Sequence, residues 1–336
     1  LEDMLWACSF EFRNSQMMMW LSLNLLATTP IITASRWHPM RFYMDKNIEN
    51  GTVMRVASCN NTAGGKGLNV ARVAKLCGAD VKTTGFCGGF NGKYLENLLE
   101  KDGLANAFVH VEQETRCCLN ILDEKYGSTE YLEPGCTISK EEEAEFFGVF
   151  KKLAGESAVI TLSGSLPKGI EADIYARLIT KAKEQGAKVI LDSSGESLKE
   201  GLKACPTLVK PNKDEIEMLF DIKINGMDDV LTYAKKIYAT GIPYVAISLG
   251  GEGALLICED GVYHGKPPKL DVVNTVGCGD SMVAAFAVAL EENLTPQEAL
   301  KKAVAVASAN AMTPETGNFK QEDFETIIQG VTVEKL

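Results

Sequence analysis

From Ser157 to Leu249 the chain alternates short apolar runs with amphipathic stretches of helical length, and that alternation leaves few folds open. The runs AVITLSG (158–164), AKVILDSS (187–194) and TLVKP (207–211) read as strands, as does Tyr244–Leu249. Between them Glu171–Gln185, a segment beginning near Lys213, and Asp228–Ala239 read as helices. Strands joined by helices of about 10 to 15 residues form βαβ units, because parallel neighbours need a long crossover, so the sheet is expected to be mainly parallel. Ligands of such sheets collect at the carboxyl ends of the strands. The segments GSLPKG (164–169), DSSGE (192–196), KPNKDE (210–215) and SLGGEG (248–253) all fall there.

One turn near the C-terminus carries chemistry. NTVGCGDS (274–281) runs straight into the apolar stretch MVAAFAVAL, so Met282–Leu290 reads as a buried helix with Asp280 at its N-cap and Gly277, Cys278 and Gly279 forming the turn before it. Unpaired amides at a helix N-terminus, on the positive end of the helix dipole, can cradle the charge of a moving phosphoryl group. A carboxylate with an ordinary pKa of roughly 4 is ionised at neutral pH and able to take a proton from an attacking hydroxyl. Taken alone, the same residues also fit a plain cap and turn.

A second glycine cluster, AGGKGLNV (63–70), opens a helix expected over Leu68–Leu76, with Lys66 and Asn69 as its long polar side chains. Glycines allow close backbone approach to a ligand, and lysine adds a mobile positive charge. A Walker A loop would need glycine at Asn60 and Ser or Thr at Gly67, and the GxGxxG spacing of dinucleotide folds is absent. Alone, GGKG is also compatible with a structural turn; paired with GCGD it is far more specific.

With these blocks the sequence resembles the PfkB, or ribokinase-like, sugar kinases, in the branch containing 1-phosphofructokinase and tagatose-6-phosphate kinase. The resemblance runs from about Gly51 to the C-terminus through AGGKGLNVARV (63–73), ETRCCLNIL (114–122), TLSGSLPKGI (161–170), ILDSSGESL (190–198), LVKPNKDEIE (208–217), ISLGGEGALL (247–256) and NTVGCGDSMVAAF (274–286). It implies a three-layer α/β/α core plus a small β-sheet lid over the sugar site, the lid strands lying at about 40–58 and 108–133. It also implies ATP and Mg²⁺ as cofactors, and a homodimer formed through the lid. Asp280 then becomes the general base, with Gly277, Cys278 and Gly279 as the anion hole. Lys210, Asn212, Ser248, Gly250, Gly251, Gly253 and Asn310 fall to ATP, Asn310 beside the adenine. Asn212 and Glu215 organise Mg²⁺ through water, a role that suits hard oxygen donors.

On the substrate side, Gly64, Gly65 and Asn69 are expected at the sugar hydroxyls. Arg116 matches the arginine that binds the phosphate already on the sugar, where a guanidinium fork suits a dianion, and Lys66 assists. The expected reaction is ATP-dependent phosphorylation of a ketohexose phosphate at its free primary hydroxyl, fructose 1-phosphate first and tagatose 6-phosphate as the alternative. A nucleoside or ribose kinase, with no need of Arg116, and a binding protein with impaired chemistry stay open beside it.

The N-terminus departs from the family pattern. Residues 1–35 read as an irregular extension with an altered first strand, ahead of a kinase domain over 36–336. The NPxxD motif whose acid grips the sugar is missing, and Asp45 is the nearest acid. Met17–Ala27 is too short to span a membrane, and Glu2, Asp3 and Glu11 spoil a secretory leader. A net charge of −11 argues against a nucleic-acid partner. Ten scattered cysteines without a CxxC pair fit a reduced, cytoplasmic thiol set better than disulfides or a zinc site.

Overall fold

The computed structural model describes residues 27–33, 38–44, 51–123 and 127–336. Its main sheet runs, edge to edge, through Thr332–Lys335, Gly261–Lys266, Ala254–Cys258, Tyr244–Ser248, Leu208–Val209, Lys188–Asp192, Val159–Ser163, Ala27–Thr33, Asp80–Thr83 and Ala105–Asn106. Neighbours are parallel from Tyr244–Ser248 onward, and the three strands before it are antiparallel.

The strands from Gly261–Lys266 to Val159–Ser163 are buried on both faces, and they divide their side chains between them with period 2. Ile160, Leu162, Val189, Leu191, Val209, Val245 and Ile247 enter one core with the helices Lys140–Glu156, Ile174–Glu184 and Met227–Tyr238. Val159, Ile190, Leu208 and Ala246 enter the other, beneath Lys66–Leu76, Cys278–Glu291 and Pro296–Ala311. This second layer is rich in alanine (Ala284, Ala285, Ala287, Ala303, Ala305, Ala309), which lets the helices lie close to the sheet and to each other. The three-layer α/β/α expectation is met.

Element ends differ from the sequence reading by a few residues, as fraying ends do. Three differences are larger. The helix expected from Met282 begins at Cys278: Gly277, left-handed at φ 86°, is the N-cap, and Asp280 is the third helical residue. A Cβ on Gly277 would stand 2.7 Å from Thr316 Cγ2, so glycine is required by space as well as by φ. The β-prone stretch Gly51–Ser58 is not a strand; the pairing residues are Ser58–Asn61. And the stretch Phe108–Leu132 splits in two. Val109–Val111 pairs with Phe86–Gly88 under Lys140–Glu156, burying Val109 and Val111 and exposing His110. Only Cys117–Asp123 and Gly127–Leu132 form the hairpin, which joins His38–Tyr43 and Ser58–Asn61 in a separate four-stranded sheet.

Ala27–Thr33, inside the stretch read as extension, lies within the main sheet between Val159–Ser163 and Asp80–Thr83. Asp45 and most of Met17–Ala27 lie outside the described residues. Among the described residues no helix is long and apolar enough to cross a membrane, and the cysteines are free thiols.

Candidate active site

Three helices begin at one place, the carboxyl ends of Lys188–Asp192 and Leu208–Val209. The first turn of Lys66–Leu76 meets the first turn of Cys278–Glu291 where Asn69 Nδ2 donates to Asp280 Oδ2 at 2.8 Å. Lys66 Nζ lies 3.2 Å from Asp192 Oδ2 and 4.0 Å from Glu215 Oε1, in the first turn of Lys213–Phe220. Lys210 Nζ reaches the other oxygen, Asp192 Oδ1, at 3.3 Å. Two acids, Asp280 and Glu215, thus stand at helix N-termini, where the dipole favours negative charge.

Burial sharpens these charges. Asp280 is 7 % exposed. Its pKa is pushed up to about 6, chiefly by that burial and by nearby Asp192, against Lys66, Lys210 and the Asn69 hydrogen bond. Asp192 has the opposite fate. Burial alone would raise it, but Lys210 and Lys66 outweigh burial and hold it below the ordinary carboxylate range. Lys66 in turn is held above the ordinary lysine value, Asp192, Asp280 and Glu215 overriding its own burial. Glu215 is raised by burial and by Asp192.

The glycine turn faces this cluster. The amides of Gly279 and Asp280, in the first turn, have no intrahelical acceptor, whereas the Cys278 amide donates to the Thr275 carbonyl at 3.3 Å. A Cβ on Gly279 would lie 3.4 Å from Lys210 Nζ, so the buried ammonium sits directly under the turn. Burial pushes the Cys278 thiol up, away from thiolate character.

Beside the turn opens a cleft of about 1080 Å³. It brings together Asn212, Ser248, Gly250, Gly251, Gly253, Cys278 and Gly279 of the expected nucleotide side. The Ser248 amide donates to the Pro211 carbonyl at 3.3 Å, tying KPNKDE to SLGGEG. Asn310 does not join them. It is fully buried, its Nδ2 donating to the Val276 carbonyl at 3.1 Å and its Oδ1 accepting from the Gly317 amide at 2.9 Å, so it braces the glycine turn. The same helix turns Ala307, Ser308 and Ala311 to the cleft. Their small side chains carried no sequence signal.

Asn212 and Glu215 form a capping box: Asn212 Oδ1 accepts from the Glu215 amide at 2.8 Å and Glu215 Oε2 from the Asn212 amide at 2.9 Å. That leaves Glu215 Oε1 as the oxygen able to serve a hydrated Mg²⁺. Among the described residues no group of three His, Cys, Asp or Glu stands together as a metal cage. Gly64 is buried and Gly65 caps the first helix. Arg116 stands at the foot of the strand Cys117–Asp123 in the four-stranded sheet, its Nη1 donating to the Glu133 carbonyl at 3.2 Å.

The chain is similar to known proteins in sequence and in fold. The tagatose-6-phosphate kinase of Staphylococcus epidermidis is 42 % identical over 285 residues, 84 % of this chain and 92 % of that protein. The 1-phosphofructokinase of Bacillus subtilis is 36 % identical over 273 residues, 81 % of this chain and 88 % of that protein. Among solved structures, phosphofructokinase-2 from Escherichia coli in complex with potassium superposes with a TM-score of 0.83 at 29 % identity, covering 90 % of this chain and 98 % of that one. Residues 39–323 match the family model described as pfkB family carbohydrate kinase. The chain belongs to the pfkB family of carbohydrate kinases, phosphotransferases that act on a hydroxyl.

Proposed function

We propose that this protein transfers the γ-phosphoryl group of ATP to the free primary hydroxyl of a ketohexose phosphate, giving a 1,6-bisphosphate. The observation that carries this reading is the buried Asp280 carboxylate, held by Asn69 under the glycine turn at the edge of the cleft. Asp280 takes the hydroxyl proton, the freed oxygen attacks the γ-phosphorus, and the bond to the β-bridging oxygen breaks, leaving its electron pair on ADP. The amides of Gly279 and Asp280 and the Lys210 ammonium stabilise the charge on the moving group. Mg²⁺, held through Glu215 and water, would neutralise the phosphates of the bound nucleotide.

Fructose 1-phosphate is the substrate placed first, supported by the 36 % identical 1-phosphofructokinase. Tagatose 6-phosphate stands beside it, supported by the 42 % identical tagatose-6-phosphate kinase. Both present a free primary hydroxyl. The lid sheet, with Tyr131 and Leu132 exposed on its outer hairpin strand, suits closure over the sugar and pairing with a second copy. Free thiols fit a cytoplasmic setting.

Arg116 is the proposed grip on the phosphate already present on the sugar. Arg116→Ala is expected to raise the KM for the phosphosugar by about 10- to 100-fold, the worth of one charge-assisted contact, while kcat and the KM for ATP stay within about twofold. Steady-state kinetics with each nucleotide and sugar varied in turn check it. An unchanged phosphosugar KM would point to a kinase of an unphosphorylated acceptor.

A further inference from the structure

Asp280 is not held by its own helix alone. Asn69 supplies its one side-chain hydrogen bond shown, and Asn69 is itself fixed from behind by Arg72, one helical turn later. The Arg72 guanidinium reaches four segments: Nε donates to Asp102 Oδ2 at 3.0 Å, Nη1 to Asn69 Oδ1 at 3.5 Å and to the Thr316 carbonyl at 3.4 Å, and Nη2 to the Ala63 carbonyl. A guanidinium has only donors, so the Asn69 oxygen must face it and the Asn69 NH₂ must face Asp280. The amide cannot flip without losing both bonds.

A second strut closes the frame. Asn310 holds the amides of Gly317 and Asn318 and the carbonyl of Val276, linking the loop 314–318 to the glycine turn. Gly317, left-handed at φ 64°, lies so close to Asn69 that a Cβ on it would stand 2.8 Å from Asn69 Cβ. Arg72 and the Gly317 backbone therefore both lie against Asn69, leaving its side chain little room to move.

We propose that Arg72 is a positioning residue for phosphoryl transfer: through Asn69 it holds the Asp280 carboxylate in its productive orientation, and through Thr316 it ties the GGKG helix to the loop that braces the glycine turn. This rests on the reading of Asp280 as the base. The charged and titratable groups around that carboxylate are Lys66, Lys210, Asp192 and Cys278, and around the guanidinium Asp102. None of them occupies the Asn69 oxygen in place of Arg72.

The test is a double-mutant cycle of Arg72→Ala, Asn69→Ala and the pair, read as kcat at saturating ATP and phosphosugar, with the unfolding midpoint of each variant. Arg72→Ala is expected to lower kcat on the order of 10- to 100-fold, the cost of a base misplaced by a fraction of an ångström to an ångström, with the KM for ATP unchanged. In the Asn69→Ala background the same change should lower kcat less than about threefold, because the group through which Arg72 acts is gone. Additive losses, or an unaltered kcat in Arg72→Ala, would overturn the proposal. Should Arg72→Ala not fold, Asp102→Asn, at a part-exposed partner of Arg72 Nε, replaces it in the cycle and is expected to show a smaller loss with the same dependence on Asn69. The cycle is separable from the reading of the site: a wild type without turnover, or an Asp280→Asn variant with normal turnover, sinks that reading. A normal Asp280 result with additive Arg72 and Asn69 losses sinks only the positioning role.

Discussion

Asp280→Asn is expected to lower kcat by about 10²- to 10⁴-fold, the usual contribution of a positioned general base, while the protein stays folded. The substitution preserves shape and leaves an oxygen to accept from Asn69 Nδ2, which now donates to Asp280 at 2.8 Å. What it removes is basicity. Two further readouts follow from the folded pKa of about 6, above the 3.8 of an ordinary aspartate. Folding here favours the protonated acid, so ionised Asp280 is a cost to stability that begins near pH 4 and is complete above about pH 6. Asp280→Asn should therefore raise the unfolding midpoint at pH 8 and leave it nearly unmoved at pH 4. In the wild type, kcat/KM for the phosphosugar should fall about tenfold per pH unit below about 6 as the base protonates, and that limb should vanish in the residual activity of the variant. Near-normal turnover by Asp280→Asn at pH 8 would remove Asp280 from the chemistry.

Asp192→Ala is expected to have the largest effect on stability of any single change at the site, about 3–5 kcal/mol, the range found when one partner of a buried ion pair is deleted. Asp192 is 1 % exposed and divides its two oxygens between Lys66, at 3.2 Å, and Lys210, at 3.3 Å. Lys66 retains Glu215 at 4.0 Å and is partly solvated, but Lys210 is 3 % exposed. Without Asp192 its ammonium is left in a low-dielectric pocket under the glycine turn, a state that costs more than the ion pair itself contributes. Urea unfolding should show a lower midpoint with an unchanged slope. Asp192→Asn, which keeps a hydrogen-bond acceptor for one lysine, should fall between. An Asp192→Ala midpoint equal to the wild type would mean that the two lysines find other partners, and the account of the charge cluster would be wrong.

The four strands read between Ser157 and Leu249, and the helices Ile174–Glu184, Lys213–Phe220 and Met227–Tyr238 between them, were legible because both signals, apolar runs and helical periodicity, are strong there and those strands are buried. GCGD and GGKG were legible as glycine turns that open helices, and Asn69 Nδ2 to Asp280 Oδ2 is the bond that joins them. What spacing could not convey is the aim of a side chain. Asp192 read only as the end of a strand, though register sets it beside Ser163 on the face covered by Lys66–Leu76 and Cys278–Glu291. Arg72 carried no signal of its own, because nothing local tells whether a residue on a helix looks into the cleft or back into the core. Ala27–Thr33 was obscured by Pro30, which normally argues against an interior strand. Its pairing with Asp80–Thr83 covers only Ala27 and Thr28, so Pro30 lies where one side of the strand carries no ladder. Ser58–Asn61 was hidden for a simpler reason: SCNN is polar and fully exposed, so no burial pattern marks it.

The proposed function is phosphorylation of a ketohexose phosphate by ATP, with a carboxylate under a glycine turn taking the hydroxyl proton. ATP consumption by the purified protein with Mg²⁺ across fructose 1-phosphate, tagatose 6-phosphate, fructose 6-phosphate, fructose, ribose and adenosine tests it most directly. Strong turnover on a phosphohexose, with fructose, ribose and adenosine slower by orders of magnitude, is the predicted result. Turnover confined to fructose, ribose or adenosine, or ATP binding without turnover on any of the six, would contradict it.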